Sequence, residues 1–75
     1  MNSMARKVSS VVAIVSELGG ARAVAKLAGV TEPAVYNWQR RKHLPRRTYL
    51  VLTRALERNG CSAPATLWRM REAAQ

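Results

Sequence analysis

Residues 21–40, ARAVAKLAGVTEPAVYNWQR, constrain this chain more than any other stretch. Small and apolar residues fall at helical spacing as far as Ala28, a glycine follows at 29, and a second helical pattern begins after Thr31. Gly29 supplies the positive φ that a sharp turn between helices needs, and Val30 plugs that turn into a core. Thr31 is a helix cap, and Pro33 lies in the first turn, where a missing N–H costs nothing. The pattern predicts one helix over about 21–28, a three-residue turn containing Gly, and a helix from 31 to about 41. A pair of this kind holds one helix rigidly against another and leaves an outer face free.

The faces of the pair follow from helical geometry. Val24, Ala25, Leu27 and Ala28 form the buried side of the first helix, and Val35 and Trp38, three apart, point inward from the second. At about 100° per residue, the opposite side of the second helix carries Pro33, Tyr36, Asn37 and Arg40. Thr31 and Glu32 stand at its N-terminal end, the end that usually enters a DNA groove. This outer face mixes a ring, an amide and a guanidinium, whereas a merely solvated face is typically Lys and Glu throughout.

The flanks complete a small all-α domain, a compact bundle of four to five helices around the central pair. Val8, Val11, Val12, Val15 and Leu18 form one helical stripe, so a helix is expected over about 8–18, ended by Gly19-Gly20. Their β-branched side chains also suit a strand, but spacing and length favour the helix. Residues 1–7 read as a flexible basic tail, with a minor-groove arm as the alternative use of Arg6 and Lys7. Pro45 opens a fourth helix that runs to Arg58 and stops at Asn59-Gly60. Its stripe is Tyr49, Leu52 and Leu56, widened by Val51 and Ala55.

Residues 61–75 are read as a C-terminal element outside the 8–60 domain, with Pro64 starting a fifth helix and a strand over 66–70 as the alternative. Leu67, Trp68 and Met70 make an apolar patch there, to cap the core or, as favoured here, to form a dimer interface. A domain of 75 residues is only marginally stable alone, which gives dimerisation a physical reason.

Charge and composition narrow the function. The formal charge is +9, from thirteen Lys and Arg against four Glu and no Asp. That balance points to a polyanionic partner. One cysteine, Cys61, excludes an internal disulfide and suits a reducing compartment. It reads as a small residue after a helix end, with a reactive thiol as the minor alternative. Val11–Val15 is too short an apolar run to span a bilayer. Arg6 and Lys7 before it imitate a signal peptide only faintly, because the next amphipathic segment completes a fold. With one His, one Cys and scattered Glu, neither a metal site nor an acid–base pair is visible. The expectation is no enzyme activity, no catalytic residue, no metal, no cofactor, no small-molecule ligand and a cytoplasmic location without membrane attachment.

The small, glycine and apolar positions of 21–40 resemble the helix-turn-helix of the lambda Cro and repressor superfamily, particularly its small phage- and prophage-type members. Counted from Ala21, the residues Ala25, Gly29, Val30, Val35 and Trp38 fall at the fifth, ninth, tenth, fifteenth and eighteenth positions. The superfamily wants a small residue, a glycine and three apolar residues at these places. The continuation Trp38-Gln39-Arg40-Arg41, then Leu44-Pro45 and another amphipathic helix, extends the resemblance over about 10–58.

The resemblance implies a sequence-specific transcriptional regulator that inserts its third helix into the major groove as a homodimer on a palindromic site. Thr31, Glu32, Pro33, Tyr36, Asn37 and Arg40 match the positions that approach bases. Asn37 suits adenine, and Arg40 suits a guanine or a phosphate. Tyr36 can donate to a phosphate or pack on a thymine methyl. Glu32 either accepts from a cytosine amine or serves only as favourable charge at a helix N-terminus. Pro33 departs from the polar residue often found there and can offer shape but no side-chain hydrogen bond.

Arg22 stands where the superfamily touches phosphate, and Arg41, Lys42, His43, Arg46 and Arg47 form a basic run suited to phosphates as well. Val24, Ala25, Gly29, Val30, Val35 and Trp38 hold the geometry. The expected partners are double-stranded DNA, a second copy of the chain, and RNA polymerase or another regulator. Two other readings are an antitoxin whose DNA-binding domain also meets a toxin, and a non-specific nucleoid or RNA-binding protein. The brevity of 61–75 and the varied outer face argue against them respectively.

Overall fold

A computed structural model of the chain describes residues 6–70, and within them the fold is mostly helical, with four α-helices. The helices are α1 (Val11–Glu17), α2 (Ala21–Ala28), α3 (Glu32–Arg41) and α4 (Tyr49–Arg58). Two short strands, β1 (Arg6–Lys7) and β2 (Cys61–Ser62), pair in parallel. Short 3-10 turns cover Arg46–Thr48, leading into α4, and Ala65–Trp68.

Each boundary has a local cause. Ser10 caps α1, its hydroxyl accepting from the Ala13 N–H at 3.1 Å. At the other end the Gly20 N–H reaches the Val15 carbonyl at 2.8 Å and the Gly19 N–H reaches Ser16 at 3.2 Å. This paired closure satisfies two orphan carbonyls and requires positive φ at Gly19, which has φ 106°. The same device ends α2. Gly29 is left-handed at φ 72°, and the Val30 N–H bonds Ala25 O at 3.0 Å while Val30 packs on the core. Only residues 29–31 separate α2 from α3, and the Thr31 hydroxyl accepts from the Ala34 N–H at 3.4 Å.

The core joins Val11, Ile14 and Val15 of α1, Val24 and Ala25 of α2, Val35 and Trp38 of α3, and Leu52 and Leu56 of α4. Val8, Leu44, Cys61 and Trp68 close it from the connectors. Burial of these side chains is the main driving force for a chain of this size.

Several expectations require correction. The stripe of the first helix is displaced: Val8 lies before α1 and Val12 is 54% exposed, while Ile14 is fully buried. A helix as short as α1, seven residues, turns its inward face toward α2 and α3 through Val11, Ile14 and Val15. Leu27, expected inside, lies on the open side of α2. Pro45 does not open α4; it precedes the 3-10 turn, and α4 proper starts at Tyr49.

Arg6 and Lys7 are not a loose tail. The Arg6 N–H donates to Gly60 O at 2.9 Å and the Val8 N–H to Ser62 O at 2.8 Å, which fixes both residues in a ribbon. The remainder of the expected tail, residues 1–5, lies outside the described residues. The Arg6 guanidinium pairs with Glu17 at 2.8 Å, so it is engaged on the protein itself.

The fifth helix is also absent over 61–70. A strand and a single 3-10 turn replace it, and residues 71–75 lie outside the described residues. Trp68 is fully buried in its own monomer, with Leu67 and Met70 half-buried against the same core. The Trp68 indole N–H donates to Thr48 Oγ1 at 3.0 Å, and its ring meets Tyr49 edge-on at 5.0 Å between centroids. The expected dimer patch is therefore mostly core. The indole completes a small protein's interior, and its one polar atom is satisfied there.

Candidate nucleic-acid interface

α3 is held from behind and free in front. Val35 and Trp38 anchor it on the core, and Thr31, Pro33, Tyr36, Asn37 and Arg40 are exposed on the other side. Tyr36 keeps 55% of its surface open on this face. Glu32 is half-buried at the first position of the helix, where its charge also suits the macrodipole. Arg40 and Arg41 occupy the last turn, where cations are favoured.

Two contacts tie members of this face together. Arg40 Nη2 donates to Asn37 Oδ1, one helical turn apart. That contact uses the amide oxygen as acceptor and leaves its N–H₂ donors outside the bond. Arg22 Nε lies 3.9 Å from Glu32 Oε2, joining the start of α2 to the start of α3. Both of those side chains are substantially exposed, so the pair contributes little to stability. Its effect is electrostatic: the Glu32 carboxylate beside the face is partly neutralised by a neighbouring cation.

The basic run of 41–47 divides. Lys42 takes the left-handed conformation at φ 66°, and its N–H closes α3 on Trp38 O at 2.8 Å. This turn sends Lys42 to a groove beside α1, lined also by Ser9, Ser10, Val12, Gln39 and Leu67. Arg41 and His43 lie on another cleft with Arg69. Arg46 donates from Nη2 to the Arg69 carbonyl at 3.2 Å, and Arg47 is exposed. Thr48, next in sequence, is the buried post beneath them, donating to Pro45 O at 2.7 Å and accepting from Trp68.

Sequence reasoning missed Arg69 and Thr48. Arg69 lies 22 positions beyond Arg47 in the sequence, and no spacing rule brings it back. Thr48 carries no signal of burial, because its partner Trp68 was assigned elsewhere.

A depression of about 490 Å³ lies beside the ribbon, lined by Lys7, Ser9, Ser62, Ala63 and Pro64. It holds no acid–base pair. Cys61, in β2 of the ribbon, turns a buried thiol to the core. Burial pushes its thiol pKa up, the nearby Arg6 opposing and Glu17 adding to the shift. A raised pKa keeps the thiol protonated and unreactive. Among the described residues no group of three or more His, Cys, Asp or Glu is placed to hold a metal ion. Among those residues, too, no helix is long and apolar enough to cross a membrane.

Comparison with protein-family models, with curated proteins and with solved structures returns no match for this chain. The residues and their geometry therefore carry the functional reading.

Proposed function

We propose that the chain is a sequence-specific double-stranded DNA-binding transcriptional regulator of the lambda Cro and repressor type, with α3 as its groove-reading helix. The observation that carries this reading is the exposed face of α3. Tyr36, Asn37 and Arg40 stand clear of the core on a helix that Val35 and Trp38 fix from behind. Such a mounting supplies what base readout requires: a rigid rod, a donor–acceptor amide and a fork of guanidinium donors.

The electrostatic half of the reading rests on the formal +9 charge and on exposed Arg22, Arg41, Lys42, Arg46 and Arg47. These would set register and salt dependence without reading sequence. A homodimer on a palindromic site belongs to the proposal, but Trp68 is not its contact surface. Exposed Val12 is one apolar side chain that a second copy could cover. The cytoplasm is the expected location.

Selection of bound fragments from genomic DNA, followed by footprinting, tests the reading. The expected result is an enriched site with two protected half-sites about one helical turn apart. Uniform recovery of all fragments would replace sequence reading by non-specific binding.

A further inference from the structure

The segment after α3 and the turn after β2 meet in a cleft of about 260 Å³, lined by Trp38, Arg41, His43, Leu44, Pro45 and Arg69. Two backbone and side-chain ties fix its rims to each other. The Leu44 N–H donates to Leu67 O at 2.8 Å, and the Trp68 indole is bonded to Thr48. Arg69 is held left-handed at φ 58°, its N–H bonded to Thr66 O at 2.9 Å. Its carbonyl receives the Arg46 guanidinium, so a further cation is held at the rim.

Among the described residues, no carboxylate lines this cleft. Among the described residues the ion pairs are Arg6–Glu17 and Arg22–Glu32, so Arg41, Arg46 and Arg69 are uncompensated by either. Cations gathered at a concave site repel one another until an anion enters, and guanidinium groups suit phosphate oxygens in particular.

Resting on the reading of α3 as the groove helix, we infer that this cleft binds a backbone phosphate of the same duplex, with Arg41 and Arg69 as its direct ligands. Arg46 is a positioning residue that also adds charge, and His43 lines the site. Arg41 is the last residue of α3, so the cleft continues the reading face at its C-terminal end. The C-terminal turn thereby has a role in binding as well as in the core.

The test compares wild type with Arg69→Gly and Arg69→Lys. Glycine accepts φ 58° readily, so Arg69→Gly should keep or raise the melting temperature while removing the guanidinium. Affinity for the selected duplex is measured across salt concentrations. Arg69→Gly should lower the slope of log K against log salt by about one and weaken selected and random duplexes by the same factor. Arg69→Lys should restore most of the slope. An unchanged slope in a folded Arg69→Gly protein overturns the site.

His43 is the chain's only histidine, so its ring resonance reports the cleft directly at fixed pH. It should shift on adding duplex to wild type and not to Arg69→Gly. A shift with inorganic pyrophosphate but none with duplex overturns the assignment to a duplex phosphate. If Asn37→Ala has no effect on any duplex, the groove reading fails by itself. Pyrophosphate then decides the cleft: a shift lost in Arg69→Gly upholds an anion site, and no shift overturns it.

Discussion

Helices α3 and α4 are both ten residues long, and both bury one face on the same core. Their outer faces differ in kind. α4 shows solvent Leu50, Arg54, Glu57 and Arg58, with charges of both signs at one-turn spacing. It is entered from a 3-10 turn, without a side-chain cap. α3 shows a tyrosine ring, an amide bonded to a guanidinium, and a proline, and its one carboxylate faces Arg22. It is capped by Thr31 and mounted on α2 through a glycine turn. Amphipathicity tells which side of a helix is buried, and it does so equally for both. Under the proposed function, only the chemistry and the mounting of the exposed side separate a reading surface from one that is merely solvated.

The largest expected effect concerns what supports each helix. α3 leans on α2, but the start of α4 leans on Trp68 through Thr48 and Tyr49. Trp68→Ala should cost about 3–5 kcal/mol in urea unfolding, because it empties a fully buried site and removes the indole N–H from Thr48, whose hydroxyl keeps its bond to Pro45 O. Trp68→Phe keeps most of the packing and should cost less, mainly the lost hydrogen bond and part of the volume. A loss below about 1 kcal/mol for the alanine variant would remove the C-terminal turn from the core and revive it as an oligomer surface.

The next effect separates the two outer faces on DNA. Asn37→Ala should cost about 1–3 kcal/mol on the selected site and almost nothing on random duplex. Leu50→Ala, on the exposed face of α4, should leave affinity per protomer unchanged. Equal losses for both substitutions on both duplexes would abolish the distinction between the helices.

The mounting of α3 is tested without touching DNA. An added Cβ at Gly29 meets nothing within 4 Å, so Gly29→Ala is strained only by the left-handed backbone at φ 72°. The expected loss is about 1–2 kcal/mol in thermal or urea unfolding, with the fold retained. A neutral result would mean that the turn can relax, and that α3 is held by Val35 and Trp38 alone.

These residues also show where a sequence is readable. The bounds of α2 and α3, the Gly29 turn and the Thr31 cap were legible because each depends on neighbours within one helical turn. The inward set Val24, Ala25, Val35 and Trp38 was legible for the same reason. The outer residues of α3 were identified as exposed, and their exposure follows from that periodicity. The ends were not legible. Arg6–Lys7 and Cys61–Ser62 are two-residue strands that exist only because each finds the other across the whole domain. Nothing local marks such a pairing. Trp68 looked like surface because its partners, Thr48 and Tyr49, lie some 20 residues away in the chain. Val12 was misplaced by a subtler cause: a valine-rich run fits more than one helical stripe, and only packing against α2 and α3 selects Ile14 over it.

The smallest expected effect is the sharpest for the comparison, since it uses one residue type on each side. Arg47, in the 3-10 turn, and Arg54, on α4, are both exposed arginines. Composition cannot rank them, and neither is paired with a carboxylate among the described residues. Position does rank them: Arg47 belongs to the basic segment that follows α3, and Arg54 shares a helical face with Glu57 and Arg58. Arg47→Ala should therefore weaken every duplex similarly and lower the salt slope by about one, whereas Arg54→Ala should leave the slope unchanged. Both variants should unfold within about 0.5 kcal/mol of wild type, as surface substitutions do, so stability does not confuse the result. If Arg54→Ala lowers the slope as much as Arg47→Ala, phosphate contact extends over α4 as well. The difference between the two helices would then reduce to base reading alone.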